Sequence, residues 1–593
     1  MAHPSHFSSL AFLAFTAAIA LAAAPSPRGG VADRPDLAAA PEFVLESTAG
    51  DRVSLYAERP GRVATAVVFL AEECPTAKLY GKKLGKLAKE YADQGILFLA
   101  VDSTPGTDAK KASAYAQAAK LDFPLLLDPL QVVASRYDVK VSTTALLLDP
   151  EFRPVYRGAI DDQYTLTEKR PHAGNEWLVE AIESLLAGTE VADAATEASG
   201  AELRAAPPIA VTFNDHVAPI VHRQCAECHR PGQVGPMSLL DYDDVRGFAP
   251  QIAEVVGQGR MPPWHADARY GHFENERRLT DTEKALLIRW AETGAKEGDS
   301  KRAPKPPVFQ DEGWAMGKPD LIVEIPETQE IPADGVVPYR YVFSPSAQIK
   351  EEHWVQAVEI RPTAQDATHH VLVFYVPPGK PATALLAGLN DGSIVGAGYF
   401  GVQVPGCRPN LYPEGTGKKI EPGGTFIFQL HYTPNGKKTQ DRTRMGLRFC
   451  KTKPKQEVQT RGVFSFNLQI PPNESHYVVT AKTTFKKPVR LLSMFPHMHM
   501  RGAAFRFERL TGEGDDETRT ILCDVPKYDF NWQNFYLPKE PVRFEAGELL
   551  FCTAAYDNSK GNPFNPDPSR TVFWGEQTFE EMMVGYIDFV EEL

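Results

Sequence analysis

The chain is 593 residues long, enough for about three to five domains of ordinary size with several separate cores. Its formal charge of -13 and pI near 5.7 argue against a nucleic-acid or anionic-membrane partner, since both need a basic surface. An acidic soluble protein is the class that remains.

Residues 1–24 contain an apolar run, Leu10 to Leu21, followed by small residues suited to signal cleavage, although no Lys or Arg precedes it. No later run approaches the ~18 to 20 apolar residues of a membrane span. The expectation is an exported protein, periplasmic or extracellular, with no transmembrane span after signal cleavage. Residues 25–40, rich in Ala, Pro and Gly, read as a linker.

Ala64 to Ala71 is a continuous apolar run of buried-strand type, Cys74-Pro75 comes next, and Lys78 to Gln94 has the periodicity of an amphipathic helix. A second strand, Ile96 to Asp102, succeeds it, which implies a right-handed parallel crossover. Tyr137 to Asp149 supplies a further strand. The block 41–190 resembles the thioredoxin-like redoxins, and that resemblance implies an α/β fold. It also puts Cys74 where that fold carries its nucleophilic thiol, at a helix N-terminus that lowers a thiol pKa. Three departures weigh against thiol catalysis. There is no second cysteine of a Cys-x-x-Cys pair, Ser142 stands where the family carries a cis-proline, and Phe69 to Cys74 lacks the threonine of a Thr-x-x-Cys. A vestigial or docking role for Cys74 therefore ranks ahead of a catalytic one.

Residues 191–208 are Ala-rich and polar and read as a second linker. Then comes Cys225-Ala-Glu-Cys228-His229, the pattern of c-type haem attachment, in which two thiols bond the haem vinyl groups and the histidine ligates iron. Zinc would need a second ligand pair, and none is obvious. Asn214 or Asp215 can cap a short helix leading into the motif. Thr280-Asp-Thr-Glu283 has the form of a capping box opening a helix from Lys284 to Thr293. Helices on both sides give residues 209–300 the pattern of a small all-α cytochrome c, with one covalent haem c. Gly259 to Trp264 resembles the loop that brings the second axial ligand; Met261 is the first choice, with Met237 and His265 as alternatives.

Residues 301–319, with Pro304, Pro306 and Pro307, form a stiff connector. The rest of the chain is rich in strands and turns. His369-His370 opens an aliphatic strand to Val376, and because neighbours in a regular strand face opposite ways, both can reach one ion only from a frayed or bulged start. Thr425 to Tyr432 alternates, with Phe426, Phe428, Leu430 and Tyr432 toward a core and His431 on the outward face. His497-x-His499 ends an apolar run, and side chains two apart in a strand share a face.

In this order, and with Pro413 to Gly417 before the Gln-x-His-Tyr and Glu580-Glu-Met582 after the His-x-His, the region resembles the type II copper, ascorbate-dependent monooxygenases. The resemblance runs from about Asp320 to the C-terminus and implies two jelly-roll or sandwich β domains, residues 320–470 and 471–593. It also implies two copper ions: one on His369, His370 and His431 for electron transfer, one on His497, His499 and Met582 for oxygen. Imidazole suits both oxidation states of copper and a thioether favours Cu(I). Where the peptide-hydroxylating members grip a substrate carboxylate with Arg, Asn and Tyr, this chain has Phe495, Val584 and Tyr586, so a less polar substrate is expected. Met583 replaces a family cysteine. Of the three pairings open to Cys407, Cys450, Cys523 and Cys552, Cys407–Cys450 with Cys523–Cys552 follows from domain membership alone.

The functional expectation is an exported dicopper monooxygenase that hydroxylates a C–H bond of a small molecule with O2. Its electrons come from an external donor, ascorbate or a redox protein, through the fused haem domain. A tethered donor has an effective concentration on the order of millimolar. Two alternatives stand beside it: a non-catalytic haem and copper electron-transfer or copper-handling protein, and a thiol oxidoreductase acting through Cys74.

Overall fold

The structure, a computed structural model, describes residues 38–57, 62–205, 209–231, 233, 235–309, 314–345, 349–383, 398–404, 408–512 and 517–592. The expected signal peptide, most of the linker 25–40, and Cys407 lie outside the described residues. No described helix is long and apolar enough to cross a membrane.

The N-terminal unit is an α/β layer built on Ala64–Leu70, a strand with every residue buried. Alternate residues feed two cores: Ala66, Val68 and Leu70 face one, Val67 and Phe69 the other. Ala64–Leu70 runs parallel to Ile96–Asp102, and the helix Pro75–Ala92 makes the crossover. Pro75 sits at the first helical position, where its missing N–H costs nothing, and Thr76, Ala77, Tyr80, Leu84, Leu87 and Tyr91 make the buried face. Among the described residues the sheet has seven strands, and Thr144–Leu148 pairs antiparallel on the other side of Ala64–Leu70. The strand expected from Tyr137 is shorter because residues 138–143 form the loop that carries Ser142.

The described part of the linker expected at 191–208 is not free. Arg157 N–H donates to Ala194 O (2.9 Å) and Ser142 N–H to Ala201 O (2.8 Å), so the segment lies along the N-terminal unit. Gly200 permits this contact, because a Cβ there would stand 2.1 Å from Ser142 O.

Residues 209–302 contain the helices Ala218–Gln224, Tyr242–Gly247, Ala249–Gly257 and Asp281–Glu292 around Phe213, Val217, Leu287 and Trp290. The capping box is formed in full: Glu283 N–H donates to Thr280 Oγ1 (3.1 Å) and Thr280 N–H to Glu283 Oε2 (2.8 Å). Asn214 and Asp215 lie inside a short π-helical turn, Phe213–Val217, and do not cap it; Thr212 takes the position before it. This helical stretch docks on both neighbours. Asp281 accepts from Val44 N–H (2.8 Å) and Arg136 Nη2 (2.6 Å) on one side. On the other, Asp267 N–H donates to Asp524 O (2.7 Å), and Trp264 packs edge-on to Tyr536 with ring centres 5.1 Å apart.

The C-terminal region is all β. Among the described residues one four-stranded sheet runs Arg340–Pro345, Thr425–Tyr432, Thr368–Val376, Tyr399–Gln403. Another, among the described residues, runs Tyr477–Thr484, Leu549–Tyr556, Gly502–Thr511, Thr518–Val525. A third sheet serves both. Its strand Gln456–Phe464 pairs antiparallel with Val584–Glu591 from Val458↔Val590 to Phe464↔Val584, and parallel with Thr416–Ile420. Two independent sandwiches divided at residue 470 are thus not what forms: one continuous sheet passes through that boundary, because Gln456–Phe464 finds its longest partner in the last strand of the chain. Cys523 and Cys552 are free thiols, which corrects the expected Cys523–Cys552 pair. Both stand opposite Phe507, on the strands either side of it, so they are two strand spacings, roughly 9.5 Å, apart and beyond disulfide reach. Cys450 is free as well.

Candidate metal centre

The strand Thr368–Val376 pairs with Thr425–Tyr432, and the register slips between Thr368 and His370. That bulge is the irregularity needed for two successive histidines to face one way. It sets His370 opposite His431, and His369, His370 and His431 present ring nitrogens all within 4.8 Å of one another. His369 Nδ1 lies 3.1 Å from His370 Nδ1. Tyr339 packs over His431 at 4.6 Å between ring centres, and Phe530 stacks on His369 at 4.4 Å.

His431 is buried, not outward-facing. The face of its strand opposite Phe426, Phe428 and Leu430 is covered by a second core, in which Leu372, Phe374 and Ile427 meet Phe495, Val584 and Tyr586 from the shared sheet. Sequence alternation distinguishes the two faces of a strand, but it cannot say that both are covered.

His497 closes the strand Val489–His497, and His499 falls just beyond its end, with the two rings 5.4 Å apart. His497 stands opposite Val584, so Met582 lies past the strand end on the same level. His370, His497 and Met582 line one cavity, together with Tyr339, Trp574 and Glu576. The cavity is about 30 Å3, room for one or two water-sized molecules. His370 and His497 rings are only 6.1 Å apart, so the five histidines form one cluster drawn from both halves of the β region.

Burial sets the protonation of this cluster. Removal from water pushes His369 and His497 down to about 4 and His431 to about 3, with neighbouring imidazoles adding to the effect for His369 and His431. His370 and His499 are driven well below the ordinary value for the same reason. At neutral pH all five are uncharged, as metal ligation requires. His369 Nε2, His431 Nδ1 and His499 Nε2 are buried with no hydrogen-bond partner. Buried polar atoms are seldom left so, and unpartnered neutral imidazole nitrogens are a donor type that suits copper.

Three supporting residues were not found by sequence reasoning. Gln533 Oε1 lies 2.7 Å from His497 Nδ1 and fixes that ring. Glu581 is fully buried and accepts from the backbone N–H of His499 (2.8 Å) and Arg501 (2.6 Å), with its pKa pushed up to about 8 by burial. Phe530 is the third. Gln533 and Phe530 carry no sequence signal. Glu581 had one, as an acidic residue directly before Met582. Phe495, Val584 and Tyr586 stay apolar or aromatic in space: Phe495 stacks on Phe535 (4.5 Å) and Tyr586 on Tyr399 (5.0 Å). Glu576 and Gln429 are polar on the cavity wall, and Tyr341 Oη joins them, donating to Glu576 (2.8 Å) and accepting from Gln429 Nε2 (2.7 Å).

In the helical stretch a tight turn brings Cys225, Cys228 and His229 together, with Cys228 and His229 N–H both donating to Cys225 O (3.1 and 2.9 Å). Burial raises both thiols, Cys225 to about 12, and lowers His229, whose Nδ1 has no partner. Two free thiols beside an unpartnered imidazole suit thioether attachment of a haem. Met261 opens the loop whose Trp264 packs into the β region, whereas Met237 touches His229 through its backbone. His265 is half-buried near Asp529. Cys228 faces a cleft lined by Arg277, Arg361, Arg408 and Gln403, and Gln403 pairs with Val371, next to His370.

Cys74 is wholly buried at the N-cap of Pro75–Ala92. Burial raises its pKa, but hydrogen bonding to the sulfur, first from Ala201 N–H (3.3 Å), outweighs it, and the net shift is downward.

A family profile for AhpC/TSA proteins matches residues 37–155. The thioredoxin-like protein YneN of Bacillus subtilis (strain 168) is 31% identical over 133 residues, 22% of this chain and 72% of that protein. Among solved structures, a hypothetical protein SMc02350 from Sinorhizobium meliloti 1021 is 28% identical, covering 29% of this chain and 95% of its own, with a TM-score of 0.27. A putative thiol:disulfide interchange protein DsbE from Chlorobium tepidum is 21% identical, covering 25% and 96%, with a TM-score of 0.22.

Proposed function

Because the chain belongs to the thioredoxin-like proteins, its AhpC/TSA unit spanning residues 37–155, we propose a multidomain oxidoreductase in which that unit is joined to a cytochrome c-like haem domain and a dicopper monooxygenase region. The observation that carries this reading is the buried cluster of His369, His370, His431, His497 and His499 with Met582 on its cavity wall. His369, His370 and His431 would hold one copper; His497, His499 and Met582 the other. Cys225 and Cys228 would carry the haem, with His229 on its iron. When bound, the copper ions and the haem supply one-electron chemistry, and the overall reaction consumes a C–H substrate, O2, two electrons and two protons to give an alcohol and water.

The chain's own residues prepare that chemistry. Burial keeps the imidazoles neutral and their lone pairs free. Gln533 orients His497, Glu581 holds the backbone that carries His499, and Phe530 and Tyr339 exclude water from the first trio. The apolar and aromatic cavity wall of Leu372, Phe374, Val584 and Tyr586 favours an apolar substrate over a carboxylate-bearing one.

The test is metal analysis, a spectrum and oxygen uptake on the full chain. We expect about two coppers and one covalent haem per chain, and O2 uptake with a reduced donor that stops in Met582→Ala. Copper-free protein, or uptake indifferent to Met582, overturns the reading. The small cavity favours one rival, a haem and copper electron carrier, which would load both metals and take up no oxygen. The lowered Cys74 pKa favours another, thiol redox chemistry, which a Cys74→Ser variant would abolish.

A further inference from the structure

The Cys74 thiol is 0% exposed, yet what covers it is a segment with no buried residue of its own, Ser199 to Arg204. Ala201 N–H donates to Cys74 Sγ at 3.3 Å. The same segment also pairs, through one antiparallel bridge, with the loop that carries Ser142. Ser142 N–H donates to Ala201 O and Leu203 N–H to Lys140 O, each at 2.8 Å, with Val141 bridged antiparallel to Glu202. Gln131 Nε2 secures the far end at Arg204 O (2.8 Å). The loop is braced from below, where Ala71 N–H donates to Ser142 Oγ (3.1 Å).

The hydrogen bonds are almost all to main chain, so they specify an extended backbone, while Ala201 and Leu203 add side chains packed on the cores of the N-terminal unit. Such an edge binds any strand of suitable shape, and a half-exposed segment held mainly by main-chain bonds opens more readily than the core beneath it. The residues are small or polar except Leu203, and Gly200 is required because a Cβ would lie 2.1 Å from Ser142 O.

We infer that residues 199–204 are a strap that gates Cys74: they fill an extended-peptide groove formed by Lys140 to Ser142, and the thiol meets a partner only when the strap lifts. The partner that fits is an extended polypeptide edge taking the same backbone bonds. The strap also leads toward the helical stretch, so its release lengthens the tether between the two units.

Iodoacetamide labelling of Cys74 in the full chain tests this, the thiolate sulfur displacing iodide to form a thioether read by mass on the Cys74 peptide. Gly200→Val cannot seat the strap and should label about tenfold faster than wild type, and a synthetic peptide of residues 197–205 should slow it again. Equal rates within about twofold overturn the proposal. Should the variant not fold, hydrogen exchange on the wild-type chain decides. The Ser142 and Leu203 amides should exchange well before those of Ala64–Leu70, and exchange only together with that strand refutes the gate.

Discussion

Replacing Glu581 by Ala should unlatch the end of the His497 strand. The carboxyl is fully buried and accepts two main-chain N–H groups, from His499 at 2.8 Å and Arg501 at 2.6 Å. Alanine leaves both donors in a space where the neighbouring groups are committed. Arg501 already spends its side chain on Asn558 Oδ1 (2.8 Å) and Phe579 O (2.9 Å). Each stranded donor costs about 1–3 kcal/mol, so the loss is about 2–6 kcal/mol, before any cavity term. For a unit the size of the β region that lowers Tm by at least about 4 °C. The assay is thermal unfolding of metal-free full-length chain followed by far-UV circular dichroism, which separates stability from binding. Glu581→Gln, which keeps one acceptor oxygen, should lose about half as much. Copper affinity at the His497 and His499 side should fall about 10- to 100-fold, the usual effect of removing a group that positions a ligand. A loss below about 0.5 kcal/mol, with affinity unchanged, would show that the latch does not matter.

Gly81→Ala should destabilise the N-terminal unit by about 1–3 kcal/mol in urea melts, because the added Cβ lies 2.3 Å from Ala119 O, where two helices touch backbone to backbone. Asp128 gives a pH signature. Burial holds its carboxyl up to about 6, against the hydrogen bonds it accepts from Val133 and Ala134 N–H and Ser103 Oγ. A folded-state pKa above the unfolded one means stability is fullest below about pH 4 and falls as pH rises to about 6, levelling off beyond. Urea midpoints of wild type relative to Asp128→Asn should therefore decline across that window; a flat difference refutes the assignment. His431→Ala should take copper from about two to about one per chain by metal analysis, leaving the His497 side loaded. Loss of both ions, or of neither, would contradict two ligand sets divided as proposed.

What the sequence disclosed depended on whether local pattern suffices. Ala64–Leu70 was legible because its apolar run is continuous and ends at Pro75, and the Thr280 capping box because its two bonds join residues three apart. The bulge at His369-His370 was legible as a requirement, since two adjacent side chains cannot otherwise share a face. The folded state of residues 194–204 was not, because their bonds are main-chain to main-chain and leave no mark on composition beyond Gly200. The contacts of Gln533 and Glu581 were hidden for a different reason, although Glu581 stands directly before Met582. The two residues lie 36 residues from His497 and 82 from His499, and only tertiary register brings them near.

That register is also why the histidines make one centre. His370 and His431 belong to a four-stranded sheet of the first half, His497 to a strand of the second. Two sandwiches joined by a flexible connection would let the gap between them vary, as packed but separate units commonly do. Here the sheet bearing His497 continues through Val584–Glu591 and Gln456–Phe464 into the strands behind the first trio, and a buried apolar layer of Leu372, Phe374, Phe495 and Tyr586 fills the space between. Moving one trio relative to the other would break ladder bonds and open that layer together. The 6.1 Å between the His370 and His497 rings is therefore a property of the core and not of a hinge. A substitution that thins the layer, such as Phe374→Ala, should perturb both metal sets at once, although Phe374 is not among the proposed ligands. Loss of affinity at one set alone would show that the halves move independently.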